Sequence, residues 1–255
     1  MLKGLASRLR AVVTLVISAT QAGQYNLFTA AGSPANAVDI YLTINTAVVL
    51  QAGLIGTGFA AGSTITIVNN GRIAGAAGFG ANGVGLDGSS NYLAGIAPGN
   101  GAHAIETNAP TRIDNTNGEI FGGGGGGGAG AANRLPVGGP YTYRAGGGGG
   151  GGGRGYNNAA AGAGGVSAVS VFESGFAGTA GSSSAVGVGG PCNTNAGAGG
   201  GGGDWGLAGE GGAVAAQEGS NNYAGGVAGQ AVKTNGGGVT WLGGNNSGQV
   251  KGIAA

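Results

Sequence analysis

Few residues in this chain of 255 are of a type that does covalent chemistry. Its one histidine, His103, stands three residues before Glu106 in an alternating stretch, 102–107. A His–Glu pair could move a proton, but no nucleophile is evident beside it. A single histidine also excludes a multi-histidine metal centre. The one cysteine, Cys192, follows Pro191 in a loop, and a Cys192–His103 dyad is the remaining nucleophilic alternative. The nine acidic residues are scattered, with no suggestive pair. Residues 78–83 match the dinucleotide pattern G-x-G-x-x-G, but no helical period follows to receive a pyrophosphate. Residues 199–204 match the calcium pattern G-G-x-G-x-D, and 82–87 nearly do. Those sites need stacked tandem copies, which these isolated matches lack. Neither an enzyme nor a bound cofactor or metal is expected.

Recognition is better supplied. Polar loops carry Arg134, Tyr141, Tyr143, Arg144, Arg154, Tyr156, Trp205, Asn221, Asn222 and Tyr223. Aromatic rings beside Arg and Asn are the residue set of antibody-like paratopes, combining rigid contact area with adaptable hydrogen bonds. These ten residues are the expected receptor-binding set. Phe172, Phe176 and Trp241 lack polar neighbours of that kind and read as plugs between packed segments.

The elements that must hold those loops are three glycine runs, 122–128, 146–153 and 199–203. A chain with 67 glycines and 6 prolines and no period ordinarily signals disorder. Disordered chains, however, are charged and poor in apolar residues. This one is 7% charged and 41% hydrophobic. Slack linkers and stiff rods are therefore the two alternatives. A rod is physically available. A polyproline-II-type helix has three residues per turn and no internal hydrogen bonds, so every amide points outward and can pair with a parallel neighbour. At a rise of about 3.1 Å per residue, 146–153 would span roughly 25 Å.

Before the runs the pattern is strand and turn. Stretches 12–18, 25–28, 38–44, 47–51 and 64–68 are rich in β-branched and aromatic residues and are separated by Gly and Pro. Residues 67–75 (IVNNGRIAG), 113–122 (IDNTNGEIFG) and 232–243 (VKTNGGGVTWLG) form a weak repeat. Each reads as a hairpin-like unit around an Asn-Gly turn. The last copy, with Trp241, would cap the far end of the rods. Residues 2–10 read as a short amphipathic lead before a strand, although Lys3, Arg8 and Arg10 ahead of 11–17 also outline a signal peptide. A net charge of +1 is no footprint for nucleic acid. No apolar run reaches the length of a membrane helix.

The strings STITIVNNGRIAGAAGFG from Ser63, TRIDNTNGEIFGGGGGGG from Thr111 and VTWLGGNNSGQVKG from Val239 resemble the glycine-rich tip regions of bacteriophage tail fibre and tail-tip adhesins. The resemblance covers roughly residues 12–255. It implies packed polyglycine helices, distal variable loops, attachment through the N-terminal part to other phage tail proteins, and binding to an outer-membrane protein or polysaccharide of the host. The expected fold is mostly β with almost no α-helix. It comprises a lead (1–11), a β-strand attachment domain (12–121) and a glycine-rich receptor-binding domain of polyglycine-II helices (122–255), capped by 231–255. The expected function is a virion adhesin, extracellular, with a homotrimer as one possible state. A virion decoration protein or a bacterial glycine-rich surface protein is the alternative. An ice-binding glycine-helix protein is a third, and the irregular loops speak against it.

Overall fold

The computed structural model describes residues 10–87, 91–134, 144–165, 174–192, 195–215 and 222–254. The β part is a parallel coil with three faces. Strand β1 (Ala11–Ile17), β2 (Tyr25–Asn26) and the one-turn helix α1 (Leu27–Ala30) make the first circuit. The next is β3 (Val38–Ile44), β4 (Val49–Leu50) and β5 (Leu54–Gly56). The third begins with β6 (Thr64–Asn69) and β7 (Arg72–Ala74), then detours through β8 (Gly85–Leu86) and β9 (Tyr92–Leu93) before closing with β10 (Ile105–Thr107). The fourth, β11 (Thr111–Asp114) and β12 (Glu119–Phe121), detours through β13 (Asn133–Arg134) and β14 (Arg144–Ala145) and closes with β15 (Val232–Thr234). A fifth begins with β16 (Val239–Gly243) and β17 (Val250–Lys251). Strands stack in register into three parallel sheets, ordered β1-β3-β6-β11-β16, β4-β7-β12-β17 and β2-β5-β10-β15.

Period-two alternation explains the wall. In β3, Val38, Ile40, Leu42 and Ile44 are buried while Asp39, Tyr41 and Thr43 turn outward. Register then stacks like on like: Leu15, Leu42, Ile67, Ile113 and Trp241 on one face, and Leu50, Ile73, Ile120 and Val250 on the second. Leu54, Ile105 and Val232 line the third. Each fully buried Leu or Ile contributes on the order of 1.5–3 kcal/mol. At one corner a buried ladder continues the stack, with Asn69 Nδ2 donating to Asn115 Oδ1 at 2.7 Å.

The Asn-Gly repeats are corners rather than hairpins. The first two turn the chain from one parallel sheet to the next and stack on each other. The third, at Asn235, turns a different corner. Consecutive strands lie in different sheets, so an antiparallel pairing across the turn never forms. Residues 231–254 also depart from expectation. They add β15–β17 to the three sheets, and Trp241 packs on the β core instead of capping glycine segments. Residues 75–104, expected within the β part, leave it as the first glycine excursion.

Both excursions, 75–104 and 122–231, depart from the same corner. Together they supply ten extended segments among the described residues, and the backbone bonds them with a period of three. Segment 122–131 shows the rule. Gly123 and Gly126 donate to Ala102 and Gly99, at 3.0 and 2.9 Å. Gly124 and Gly127 donate to Arg154 and Gly151, at 3.1 and 2.8 Å. Gly125 and Gly128 donate to Leu207 and Glu210, at 3.0 and 2.8 Å. Its carbonyls accept in three further directions, from Gly78 and Ala81, from Gly203 and Gly200, and from Gly229 and Gly226. This segment therefore has six bonded neighbours. So has 144–154, which donates toward Val84, Gly197 and Phe176 and accepts from Gly165, Gly130 and Gly190. The remaining eight close a perimeter around these two, in layers of three, four and three.

Six-fold contact explains the two longest glycine runs. A Cβ placed on any residue of 122–128 would overlap a neighbour's carbonyl oxygen, as Gly126 would with Phe79. On the perimeter one face is free, and there Phe79, Ile96, Leu207, Val214 and Val227 stand exposed. Gly126→Ala should therefore cost at least the ~1–3 kcal/mol typical of overpacking. Gly211→Ala, whose added methyl would meet nothing closer than 3.9 Å, should leave the thermal midpoint nearly unchanged. Parallel melts of the two variants by circular dichroism check this.

Candidate functional site

The segments share two ends. At the near end, beside the β coil, aromatic and charged side chains gather. Phe121 and Trp205 have ring centroids 5.6 Å apart, and Tyr156 lies 5.8 Å from Trp205. Arg72 sits over the Phe121 ring at 5.3 Å, and Lys251 over the same ring at 5.2 Å. Arg154 sits 5.8 Å from the Trp205 ring and pairs with Asp204 at 2.8 Å. Arg72 also donates to the Tyr156 hydroxyl and to Glu119. Cation–ring contacts of this kind contribute about 0.5–2 kcal/mol each. Burial alone would raise the Asp204 carboxyl, but the Trp205 N–H and the Arg154 guanidinium outweigh it and hold the acid below its usual range.

This cluster corrects part of the expected receptor-binding set. Arg154, Tyr156 and Trp205 were placed in display loops because they interrupt the glycine runs. They lie instead in turns that face the β coil, and Trp205, 3% exposed, is closed to any receptor. Every second reversal of the chain brings a turn back to the coil, and the sequence does not count reversals. Arg72, Phe121 and Lys251, absent from the expected set, complete the joint. The position of Phe121 directly before a glycine run was the available signal.

At the far end, hydrogen bonds fix which residues are level: Gly147 donates to Val84, Tyr223 to Ala129, Gly197 to Ala131 and Ala131 to Ala213. Strands β13 and β14 pair there antiparallel, with Arg134 opposite Arg144. Tyr223 packs against a small cluster of Val84, Leu86 and Ala132, and its hydroxyl donates to the Gly95 carbonyl at 3.1 Å. Asn222 donates to the Gly212 carbonyl. Asn133 is 1% exposed, and its Oδ1 has no hydrogen-bond partner. Exposed apolar groups, Tyr92, Leu93 and Val214, stand close by. Tyr141, Tyr143 and Asn221 lie outside the described residues, as does Phe172. Phe176, expected as a plug, is half exposed on the perimeter. The stretches 88–90, 135–143, 166–173, 193–194 and 216–221 all join described residues at this end. Of the ten expected contact residues, Arg134, Arg144, Asn222 and Tyr223 thus lie at this end.

His103, the one candidate for acid–base work, has a structural place. Its Nδ1 accepts from the Gln230 N–H at 3.0 Å where the second excursion returns. Burial, and then Lys233, push the imidazole below its usual range, with Glu106 opposing. Glu106 is held low by the Asn235 amide and Lys233. Cys192 donates its thiol to the Ala196 carbonyl at 2.8 Å. Among the described residues, no cluster of three or more His, Cys, Asp or Glu could hold a metal ion. No helix among them is long and apolar enough to cross a membrane.

The fold thus defines a class: a one-chain, three-faced parallel β-helix that carries a side-chain-poor, backbone-bonded array inserted at one corner. The chain belongs to the phage tail fibre adhesin Gp38 family, whose sequence profile matches residues 12–253. Its structure is similar to the gp37–gp38 adhesin tip complex of the long tail fibre of bacteriophage S16. The TM-score is 0.54 at 24% identity, over 93% of this chain and 80% of that one. No curated protein sequence matches.

Two predictions follow from the near end. Trp205→Ala should lower folding stability by about 3–5 kcal/mol, as loss of a buried Trp does, measurable by urea denaturation. His103 binds fewer protons folded than unfolded, so its contribution is present above its unfolded pKa near 6.5 and is lost as pH falls through the lower folded value. The thermal midpoint should fall as pH drops below about 6.5, and His103→Gln, which keeps an acceptor for Gln230, should flatten that fall. The loss that begins below 4.5, from Glu106, should persist.

Proposed function

We propose that this chain is a non-enzymatic virion adhesin that binds a receptor on the host bacterium through the far end of its glycine array. One observation carries the reading: Arg134, Arg144, Asn222 and Tyr223, four of the ten expected contact residues, stand at a single end of the array, opposite the β-helix. Such residues give contact area and adaptable hydrogen bonds. Behind them the array, which we take to be polyglycine-II helices, supplies a stiff mount. Its two central segments are glycine throughout 122–128 and 146–153, where a change in the loops meets no side chain to disturb. Arg134, Arg144, Tyr141, Tyr143, Asn221, Asn222 and Tyr223 are the residues assigned to the contact, with an outer-membrane protein or surface polysaccharide as the receptor class.

Attachment to another phage tail protein is assigned to the first circuit of the β-helix. The S16 relative is a complex of gp37 with gp38, which supports a tail-fibre partner here. Among the described residues, β1 pairs with β3 alone and its other edge is open. It runs seven residues, with no charge and no Pro. A long flat edge of that kind is a template for a further strand. The opposite edge, β16, is blunted by a register shift against β11. Half-exposed Val13 and Leu15 leave the core end open beside β1. The location implied is the virion tail. One chain already supplies the three-faced cross-section.

The test replaces Tyr141, Tyr143 and Asn221 together with Ala in the virion. Adsorption to host cells should fall at least tenfold while the chain remains folded and incorporated. Unchanged adsorption would return the protein to the decoration reading.

A further inference from the structure

We propose a second binding site, for an acidic saccharide, on the outer face of the five-stranded sheet. It does not rest on the far end of the array. A cleft of 360 Å³ opens there, lined by Asp39, Tyr41, Thr64, Thr66, Arg112 and Thr240 among others. Register places four of these in one row across the strands. Tyr41 is opposite Thr66, Thr66 opposite Arg112, and Arg112 opposite Thr240. Tyr41 is 49% exposed, and Arg112 and Thr240 are exposed.

The charges in the cleft are not balanced. Asp39 is already engaged, accepting from the Thr64 hydroxyl at 2.7 Å and from Arg10 at 3.3 Å. Asp114, further along β11, accepts from the Thr116 hydroxyl at 2.7 Å and from the Thr116 N–H. Arg112 makes no ion pair or side-chain hydrogen bond among the described residues. Its guanidinium is left to face an anion from outside, and carboxylate or phosphate oxygens meet it as a two-pronged partner.

The spacing selects the rest of the ligand. Strands lie about 4.8 Å apart, so Tyr41 and Arg112, two strands apart, are separated by roughly 10 Å. A disaccharide spans that distance. The C–H face of one sugar ring lies on the Tyr41 ring, whose negative face favours it. Hydroxyls pair with Thr66 and Thr240, each of which both donates and accepts. An acidic group on the second sugar reaches Arg112. A protein partner would want an apolar centre, and this floor is hydroxyl, guanidinium and a single phenol ring. One cation is too few for nucleic acid.

Isothermal titration of the full chain with digalacturonate, maltose 1-phosphate and maltose tests the site and separates a carboxylate from a phosphate anion. At least one charged probe should bind, and tenfold or more tighter than maltose. Arg112→Gln should weaken it at least tenfold. Thr240→Asp, which would place a carboxylate beside Arg112, should do the same. Both positions are exposed, so thermal midpoints should match the parent and show that binding, not folding, was lost. Should neither charged probe bind, or both variants bind as the parent does, the assignment falls. It falls equally if sedimentation shows the chain self-associating through this face, with Arg112→Gln restoring the monomer. Failure here leaves the adsorption test of the far end untouched.

Discussion

The array stands on the requirement that a buried peptide group find a partner for both its N–H and its C=O. In a helix or sheet the regular element supplies the partner. Here no segment bonds to itself, and each needs neighbours on all sides. The bonding repeats every three residues and aims three donors and three acceptors around the axis, so full satisfaction takes six neighbours. Those neighbours approach so closely that the space a Cβ would need is already filled by carbonyl oxygens. Glycine is thus a steric condition of the bonding. Each bond adds only about 0.5–1.5 kcal/mol net, and each glycine loses more entropy on ordering than another residue would. The arrangement holds as a network, because an amide stripped of its neighbour would be left buried and unpaired.

Such a network needs a fixed starting geometry, and the β-helix provides it. Both excursions depart from and return to one corner, so four chain crossings are set by strands whose register is locked by stacked Leu, Ile and Val. The near-end cluster of Phe121, Trp205, Tyr156, Arg72 and Arg154 fills the joint where backbone bonding gives way to side-chain packing. Its charged groups are paired with one another or laid over rings, so the joint buries no uncompensated charge. The division of labour is spatial. Side chains order the coil and the joint, main chain orders the array, and side chains such as Phe79, Leu207 and Val227 stand exposed on its perimeter.

Several features were legible in the residues. Alternation in 38–44 and 64–68 marked strands with one buried face, and the structure has them. The apolar interleaving of the glycine runs pointed away from slack linkers, and every residue of 122–128 and 146–153 is buried. The third run, 199–203, looked equivalent, yet it borders four segments, and Gly199, Gly201 and Gly202 are only partly buried. The length of a glycine run therefore tracks its number of neighbours, a quantity no local pattern carries. The Asn-Gly repeats were correctly seen as turns but misread as hairpins, since the same signal serves a corner between parallel sheets.

The sequence by itself determined that the chain is β-rich, that side chains are withheld from defined stretches, and that aromatic and polar residues interrupt those stretches. These are local properties of composition and period. Only the tertiary structure decided that 231–254 rejoins the β-helix, that Trp205 and Tyr156 close a joint while Tyr223 belongs to the opposite end, and that Arg112, without an ion pair among the described residues, stands between two threonines in one row with Tyr41. Each of these depends on which strand lies beside which. That pairing is set by register and by the number of times the chain turns back, over separations as long as that from Ile120 to Val250, where sequence spacing carries no geometry.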